Sequence, residues 1–225
     1  MTYTLYIGNK NYSSWSLRPW VAMKQAGIPF TEKRLALETP EFHAQIGAIS
    51  PARRVPCLYD GQFAIWDSLA ICEYLAERHP NLWPHDGDAR ARARSLAAEV
   101  HAGFAVLRAE MPMNVRARTR KTIGIGSLRH DIDRVLAVWN DTRRHFGANG
   151  RMLFGAFSIA DAFFAPVAFR FQSYGVAPDG AAGEYLAALL ALPAMREWQA
   201  AAEAEPEKLA STDIITAAQV AQQQQ

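Results

Sequence analysis

The sequence predicts an α/β domain of order βαβαββα in its first 80 residues, followed by an all-helical domain, a helical bundle. Three observations carry this. Up to Pro80 the chain alternates short β-rich runs with runs of helical composition. A break follows through His79-Pro80-Asn81-Leu82-Trp83-Pro84, and beyond it the composition turns to Ala, Arg, Leu and Glu, all good helix formers. The expected organisation is a domain at 1–80, a linker at 81–86, a helical domain at 87–215, and a frayed tail at 216–225 ending in a run of glutamines from Gln222 to Gln225.

Each element has a local reason. Tyr3 to Ile7 is β-rich and stops at Gly8; Trp15 to Gln25 reads as a helix closed by Gly27, a residue suited to the left-handed position after a helix. Phe30 to Leu35 reads as a strand and Pro40 to Ile46 as a short helix. Val55 to Tyr59 reads as a strand that turns through Asp60-Gly61 into a hairpin partner, Phe63 to Ile65. Asp67 is placed to cap a helix that runs to Arg78, ahead of Pro80. In the helical part, Leu96, Val100, Phe104 and Leu107 recur at steps of three and four within 88–110, and Ile132, Val135, Leu136 and Trp139 repeat the pattern. Ser158-Ile159-Ala160-Asp161 ahead of an apolar run fits a capping box, and Pro193 opens a last helix carrying Met195 and Trp198.

Composition narrows the function. With 50% hydrophobic and 20% charged residues the chain can build a core, and a formal net charge of +2 falls short of a dedicated nucleic-acid binder. The basic residues do concentrate in the middle third, as Arg90, Arg92, Arg94, Arg116, Arg118, Arg120 and Lys121. Arginines two apart on a helix spread over about 200°, which fits a solvated face better than a phosphate stripe. Steering of an anionic substrate is the second reading of that set and nucleic acid the third. Cys57 and Cys72 form no CxxC, and the six histidines show neither an i,i+4 pair nor HExxH, so no metal is expected. MTYTLYIGNK carries no basic segment ahead of a long apolar one, and the most apolar window, Met152 to Phe169, is interrupted by Asp161 and Pro166. A cytoplasmic protein without a membrane segment is expected.

Three segments carry chemistry. Tyr12-Ser13-Ser14-Trp15-Ser16-Leu17-Arg18 joins the first strand to the first helix, where serines serve as helix caps or as hydroxyl donors. Val55-Pro56 opens a strand after Arg53-Arg54, so its proline sits at a strand edge or in a cis bond. Asp67-Ser68 opens the third helix, whose free N–H groups favour an anion. The combination, followed by an all-helical domain with Gly155-x-x-Ser158-x-x-Asp161, resembles the cytosolic glutathione transferase family over nearly the whole chain. Ser13-Ser14-x-Ser16-x-Arg18 is similar to the zeta-class serine motif, with Trp15 where zeta enzymes have cysteine. Arg53 to Glu77 and Met111-Pro112-Met113-Asn114 look more like bacterial serine-type members.

The resemblance implies that the first domain is thioredoxin-like and that glutathione is the co-substrate. Ser13 would hydrogen-bond the glutathione sulfur, with Ser14 the adjacent candidate. Val55 would pair its backbone with the cysteinyl unit beside a cis Pro56, Asp67 and Ser68 would hold the γ-glutamyl amine and carboxylate, and Arg54 the glycyl carboxylate. It also implies a homodimer and a small electrophilic partner. Conjugation by a transferase, isomerisation of the maleylacetoacetate or maleylpyruvate type, reduction and dehalogenation stay open, as does glutathione binding without catalysis. The physical demand on the serine is modest. A thiol of pKa ~8.5 is about 3% ionised at pH 7, and lowering it by two units takes about 2.7 kcal/mol. One hydrogen bond to an anion supplies ~1.5–3 kcal/mol and a helix start ~0.3–1 kcal/mol. Lost nucleophilicity cancels much of that gain, so positioning of the electrophile is the larger contribution.

Overall fold

In the computed structural model, which describes residues 3–119 and 126–221, Tyr3, Leu5 and Ile7 turn one face of β1 (Tyr3–Ile7) into the core. With that face buried, β1 takes the centre of a four-stranded sheet. β2 (Phe30–Arg34) pairs with it in parallel, β3 (Cys57–Asp60) antiparallel on its other edge, and β4 (Phe63–Ile65) antiparallel to β3. α1 (Ser14–Gln25) carries the β1-to-β2 crossover and ends at Ala26, followed by Gly27 at φ +65°. α2 (Pro40–Ile49) is capped by Thr39 and runs three residues past the expected Ile46. β3 starts two residues later than expected, because Pro56 has no N–H for the ladder and follows a cis peptide bond from Val55. The hairpin turn shifts by one residue: Asp60 pairs with Phe63, and Gly61, at φ +63°, and Gln62 form the loop. α3 (Ser68–Arg78) completes the predicted order.

A short 3₁₀ turn, Pro80–Leu82, leads to α4 (Gly87–Ala102), capped by Asp86. The periodic stretch 88–110 is not one helix. Gly103 closes α4 with its N–H on Glu99 O at 2.7 Å, Phe104 adopts a left-handed backbone at φ +56°, and α5 (Ala105–Glu110) restarts. A Cβ at Gly103 would lie 2.8 Å from Glu99 O, so glycine is what lets the chain bend there. Val100 and Leu107 then both reach the core. α6 (Ser127–Phe146), α7 (Ile159–Tyr174), α8 (Gly180–Leu190) and α9 (Pro193–Ala204) follow. α7 is the core element: every residue except Gln172 is buried. Pro193 does not open the last helix. α10 (Ala210–Ala221) comes after it and takes in residues 216–221 of the segment expected to fray, while Gln222 to Gln225 lie outside the described residues.

α1 joins the two halves. It packs against α3 within the first and against α7 and α9 of the second, with the rings of Trp20 and Trp198 5.0 Å apart, and one apolar cluster runs from Tyr3 to Ala202. Arg92, Arg94 and Arg118 lie in surface ion pairs with Asp141, Glu73 and Glu203, as a solvated face requires, whereas Arg116 turns inward. Arg120 and Lys121 lie outside the described residues. Among the described residues no helix is long and apolar enough to cross a membrane.

Candidate functional site

A cleft of about 370 Å³ opens where α3 begins. One wall is the α2–β3 connection, with Ala52, Arg54, Val55 and cis Pro56; the floor is Trp66, Asp67 and Ser68; α1 contributes Trp15 and α4 contributes His101. Five of the seven residues singled out in the sequence therefore meet in one place. Asp67 caps α3, its Oδ1 accepting the Leu69 N–H at 2.8 Å, and its Oδ2 lies 3.4 Å from His101 Nε2. Ser68 is buried and its Oγ accepts a 3.4 Å hydrogen bond from Arg18 Nη1. Arg54 is exposed at the cleft's edge. A larger cavity, about 500 Å³, between the linker and the end of α6 is lined by none of these residues.

The two serines stand beside the cleft rather than in its lining. Ser13 and Ser14, each 7% exposed, precede Trp15, which does line it. Ser13 occupies the N-cap position of α1 without capping it. Its hydroxyl donates instead to Ser16 Oγ at 2.7 Å, and Ser16 Oγ also accepts the Gly8 N–H at 3.1 Å. Ser14 Oγ accepts from Arg170 Nη2 at 3.4 Å.

Cations gather behind this edge. Arg18, 2% exposed, is sandwiched between Trp15 and Phe163, with its guanidinium carbon 4.1 and 4.7 Å from the ring centres. Burial first, then the charges of Arg170 and Arg108, push it down to about 9. Arg170 donates from Nε to Met111 O at 2.8 Å, and burial pushes it down to about 10. Both remain cations at neutral pH. Burial lowers the pKa of His101, against the pull of Asp67, and its ring stands edge-on to Trp15 at 5.3 Å. Cys57 is buried at the start of β3, with its thiol pushed up to about 11 by burial.

Sequence reasoning missed His101, Trp66, Arg108 and Arg170 as neighbours of the site. His101 follows Val100 of the apolar seam of α4, a weak signal that it faces the first domain. Arg170 is a charge beside the apolar run Met152 to Phe169, inside a helix buried at every residue but Gln172, which was a legible anomaly.

Among solved structures, one described as the holo structure of maleyl pyruvate isomerase, "a bacterial glutathione-s-transferase in Zeta class", superposes on 92% of this chain and 100% of its own. Its TM-score is 0.67 and its sequence is 26% identical. Residues 12–78, which hold the serine segment, Val55-Pro56 and Asp67-Ser68, match the family model "Glutathione S-transferase, N-terminal domain". Residues 12–78 thus carry a glutathione S-transferase N-terminal domain, and the fold of the whole chain is that of the glutathione transferases. A glutathione transferase homolog from Burkholderia, solved with bound glutathione, shares the fold: 91% of this chain and 99% of that one superpose with a TM-score of 0.68 at 24% identity. A "probable maleylacetoacetate isomerase" of Caenorhabditis elegans is 37% identical over 103 residues, 44% of this chain and 47% of that protein. The chain thus spans about half the length of that curated relative. The sheet and its helices are the thioredoxin-like half of the family fold, followed by the helical half.

Proposed function

We propose that this chain binds glutathione in the α3 cleft and holds its sulfur as a thiolate against the hydroxyl of Ser13 for attack on a small electrophile. The observation that carries the reading is the facing of Val55–cis-Pro56 and the Asp67-Ser68 helix start across one cleft that ends at α1. Asp67 answers the γ-glutamyl ammonium; Ser68 and the free N–H groups of the first turn of α3 answer the α-carboxylate; Arg54 reaches the glycyl carboxylate. The backbone of Val55 pairs with the cysteinyl unit, which directs the sulfur toward α1.

Ser13 stabilises the anion by donation, since its hydroxyl does not titrate near neutral pH. In the free protein its proton is engaged by Ser16. Reversing that bond, with Ser16 donating to Ser13 Oγ, frees the Ser13 proton for the sulfur, while the Gly8 N–H keeps Ser16 Oγ in place. Ser14, tied to Arg170, is the lesser donor. The electrophile meets the sulfur over Trp15 and His101, at the seam between the halves.

A second reading, glutathione-assisted isomerisation of a carboxylate-bearing compound, is favoured by the cation cluster of Arg18, Arg108 and Arg170, which a neutral electrophile does not require. Calorimetry with glutathione tests the cleft. Turnover of a chlorinated nitroaromatic against cis–trans isomerisation of an unsaturated dicarboxylate then decides the reaction, and binding without either turnover would leave a glutathione-binding protein.

A further inference from the structure

The loop that delivers Ser13 to α1 is held from the far end of the chain. Residues 9–13 leave β1 in a tight turn, with the Tyr12 and Ser13 N–H groups both on Asn9 O at 3.1 and 2.8 Å. The two N–H groups between them are left over, and both end on one carboxylate. Glu205, just past α9, accepts the Lys10 N–H on Oε1 at 2.7 Å and the Asn11 N–H on Oε2 at 3.1 Å, across 195 and 194 residues. Glu205 is 8% exposed, so these are buried bonds from consecutive amides to an anion, a backbone nest built by the loop. The neighbourhood reinforces it. Trp198 Nε1 donates to Lys10 O at 2.8 Å, Asn11 Nδ2 donates to Asn114 Oδ1 at 2.9 Å, and Arg116 donates to the main-chain oxygen of Glu205 and to Tyr12 Oη.

We propose that Glu205 is a positioning residue for the thiol site: its carboxylate fixes the 9–13 loop and thereby the Ser13 hydroxyl that meets the glutathione sulfur. This rests on the serine reading above. A hydroxyl acts on a thiolate only within hydrogen-bond reach, and displacements of the order of 1 Å forfeit most of the effect. Asn9 O takes the Tyr12 and Ser13 N–H groups but neither that of Lys10 nor that of Asn11, and although the Lys10 side chain pairs with Glu32 at 2.8 Å, the backbone of the loop is completed only by Glu205. The remaining glutathione contacts, from Arg54 to Ser68, line the wall and floor of the cleft, and among the described residues they share with Glu205 and the loop only the packing of α1. Loss of Glu205 therefore loosens the sulfur end of the tripeptide and spares its affinity.

The experiment compares wild type, Glu205→Ala, Glu205→Gln and, as a control on exposed α9, Glu197→Ala. It reads the ultraviolet thiolate titration of bound glutathione, kcat and KM for glutathione, and the melting temperature. Glu205→Ala is expected to raise the bound thiol pKa by about one unit, a tenfold change in the ionisation constant, and to lower kcat at neutral pH about threefold with KM within about twofold. Glu205→Gln recovers about half of the shift, because its amide oxygen still takes one of the two N–H groups. Glu197→Ala matches wild type. A Glu205→Ala protein that melts lower but keeps the wild-type thiol pKa and kcat overturns the proposal and leaves Glu205 a structural tie. Where Glu205→Ala does not fold, Glu205→Gln decides: a thiol pKa equal to wild type overturns the proposal. A wild type whose bound thiol titrates like free glutathione overturns the serine reading itself, an outcome distinct from a lowered value that the variants leave in place.

Discussion

Ser13 and Ser14 differ in what already occupies their hydroxyls. Ser13 donates to a neighbour that can reverse the bond, whereas Ser14 accepts from a buried guanidinium. Replacing Ser13 by alanine is expected to raise the pKa of bound glutathione by one to two units, or ~1.5–3 kcal/mol from one hydrogen bond to an anion. Ser14→Ala should shift it less. Thiolate absorbance across a pH series measures both, and a larger shift in Ser14→Ala would move the assignment by one residue. Asp67 carries a second expectation. Its carboxylate faces both His101 and the site proposed for the γ-glutamyl ammonium. Burial, against the pull of Asp67, lowers the pKa of His101 from its ordinary value, so the ring takes up its proton at lower pH than a free imidazole does. Once charged it competes with the ammonium for Asp67. Glutathione affinity should therefore fall ~2- to 5-fold as the pH drops from about 7 to about 5, as expected of a partly exposed ion pair. His101→Gln should flatten that limb in calorimetric titrations.

At the scale of the element, the start of α7 is the tightest local structure in the helical half. Asp161 accepts the Leu153 N–H at 3.1 Å, the Ser158 N–H at 2.8 Å and the Ser158 hydroxyl at 3.1 Å, all buried. Asp161→Ala strands two buried N–H groups, at roughly 1–3 kcal/mol each, so urea unfolding should show a loss of about 2–5 kcal/mol. The pH dependence has a definite sign. Burial outweighs these donors and raises the carboxyl to about 6, above its unfolded value. The folded state then holds the extra proton between the two values, so the contribution of Asp161 to stability is largest below the unfolded pKa and declines as pH rises through about 6. Wild-type stability relative to Asp161→Asn should fall over that window. The bend between α4 and α5 shows the opposite case: its apolar spacing continues through Gly103, but the backbone turns extended at Gly103 and left-handed at Phe104, which ends the helix.

For the whole molecule, two large apolar side chains lie exposed on and after β4: Phe63, 64% exposed, and Trp66, 44%. Trp66 also lines the cleft. A closed twofold pairing over this sheet edge is the expected arrangement that covers Phe63. Light scattering should give about twice the 25.0 kDa chain mass, with Phe63→Glu shifting the particle to one chain. Glutathione, as a ligand of the native state only, should raise the melting temperature with concentration, by about 2.7 kcal/mol of stability at a hundredfold excess over Kd. No rise at saturating glutathione would remove the cleft reading.

What the sequence determined by itself is what a few consecutive residues encode. Alternation in Tyr3–Ile7 marks the central strand, Val55-Pro56 the entry to β3, Asp67 the cap of α3, and Ser158 with Asp161 the capping box, because each is a bond or a periodicity spanning no more than a few residues. The meeting of Arg54, Val55, Pro56, Asp67 and Ser68 in one cleft was legible only through the family resemblance, since nothing local aims α3 at the α2–β3 connection. The tertiary structure alone decided the rest. Asp213 and Thr216 hold α10 through bonds to Tyr12 and Asn114, partners about 100 to 200 positions away. His101 becomes a neighbour of Asp67, and Glu205 the anchor of Lys10 and Asn11, only when α4 and the end of α9 close on the first domain. Such pairings join residues 34 to 195 positions apart, and their geometry is fixed by the packing of α1 against α3, α7 and α9 rather than by any residue type in isolation.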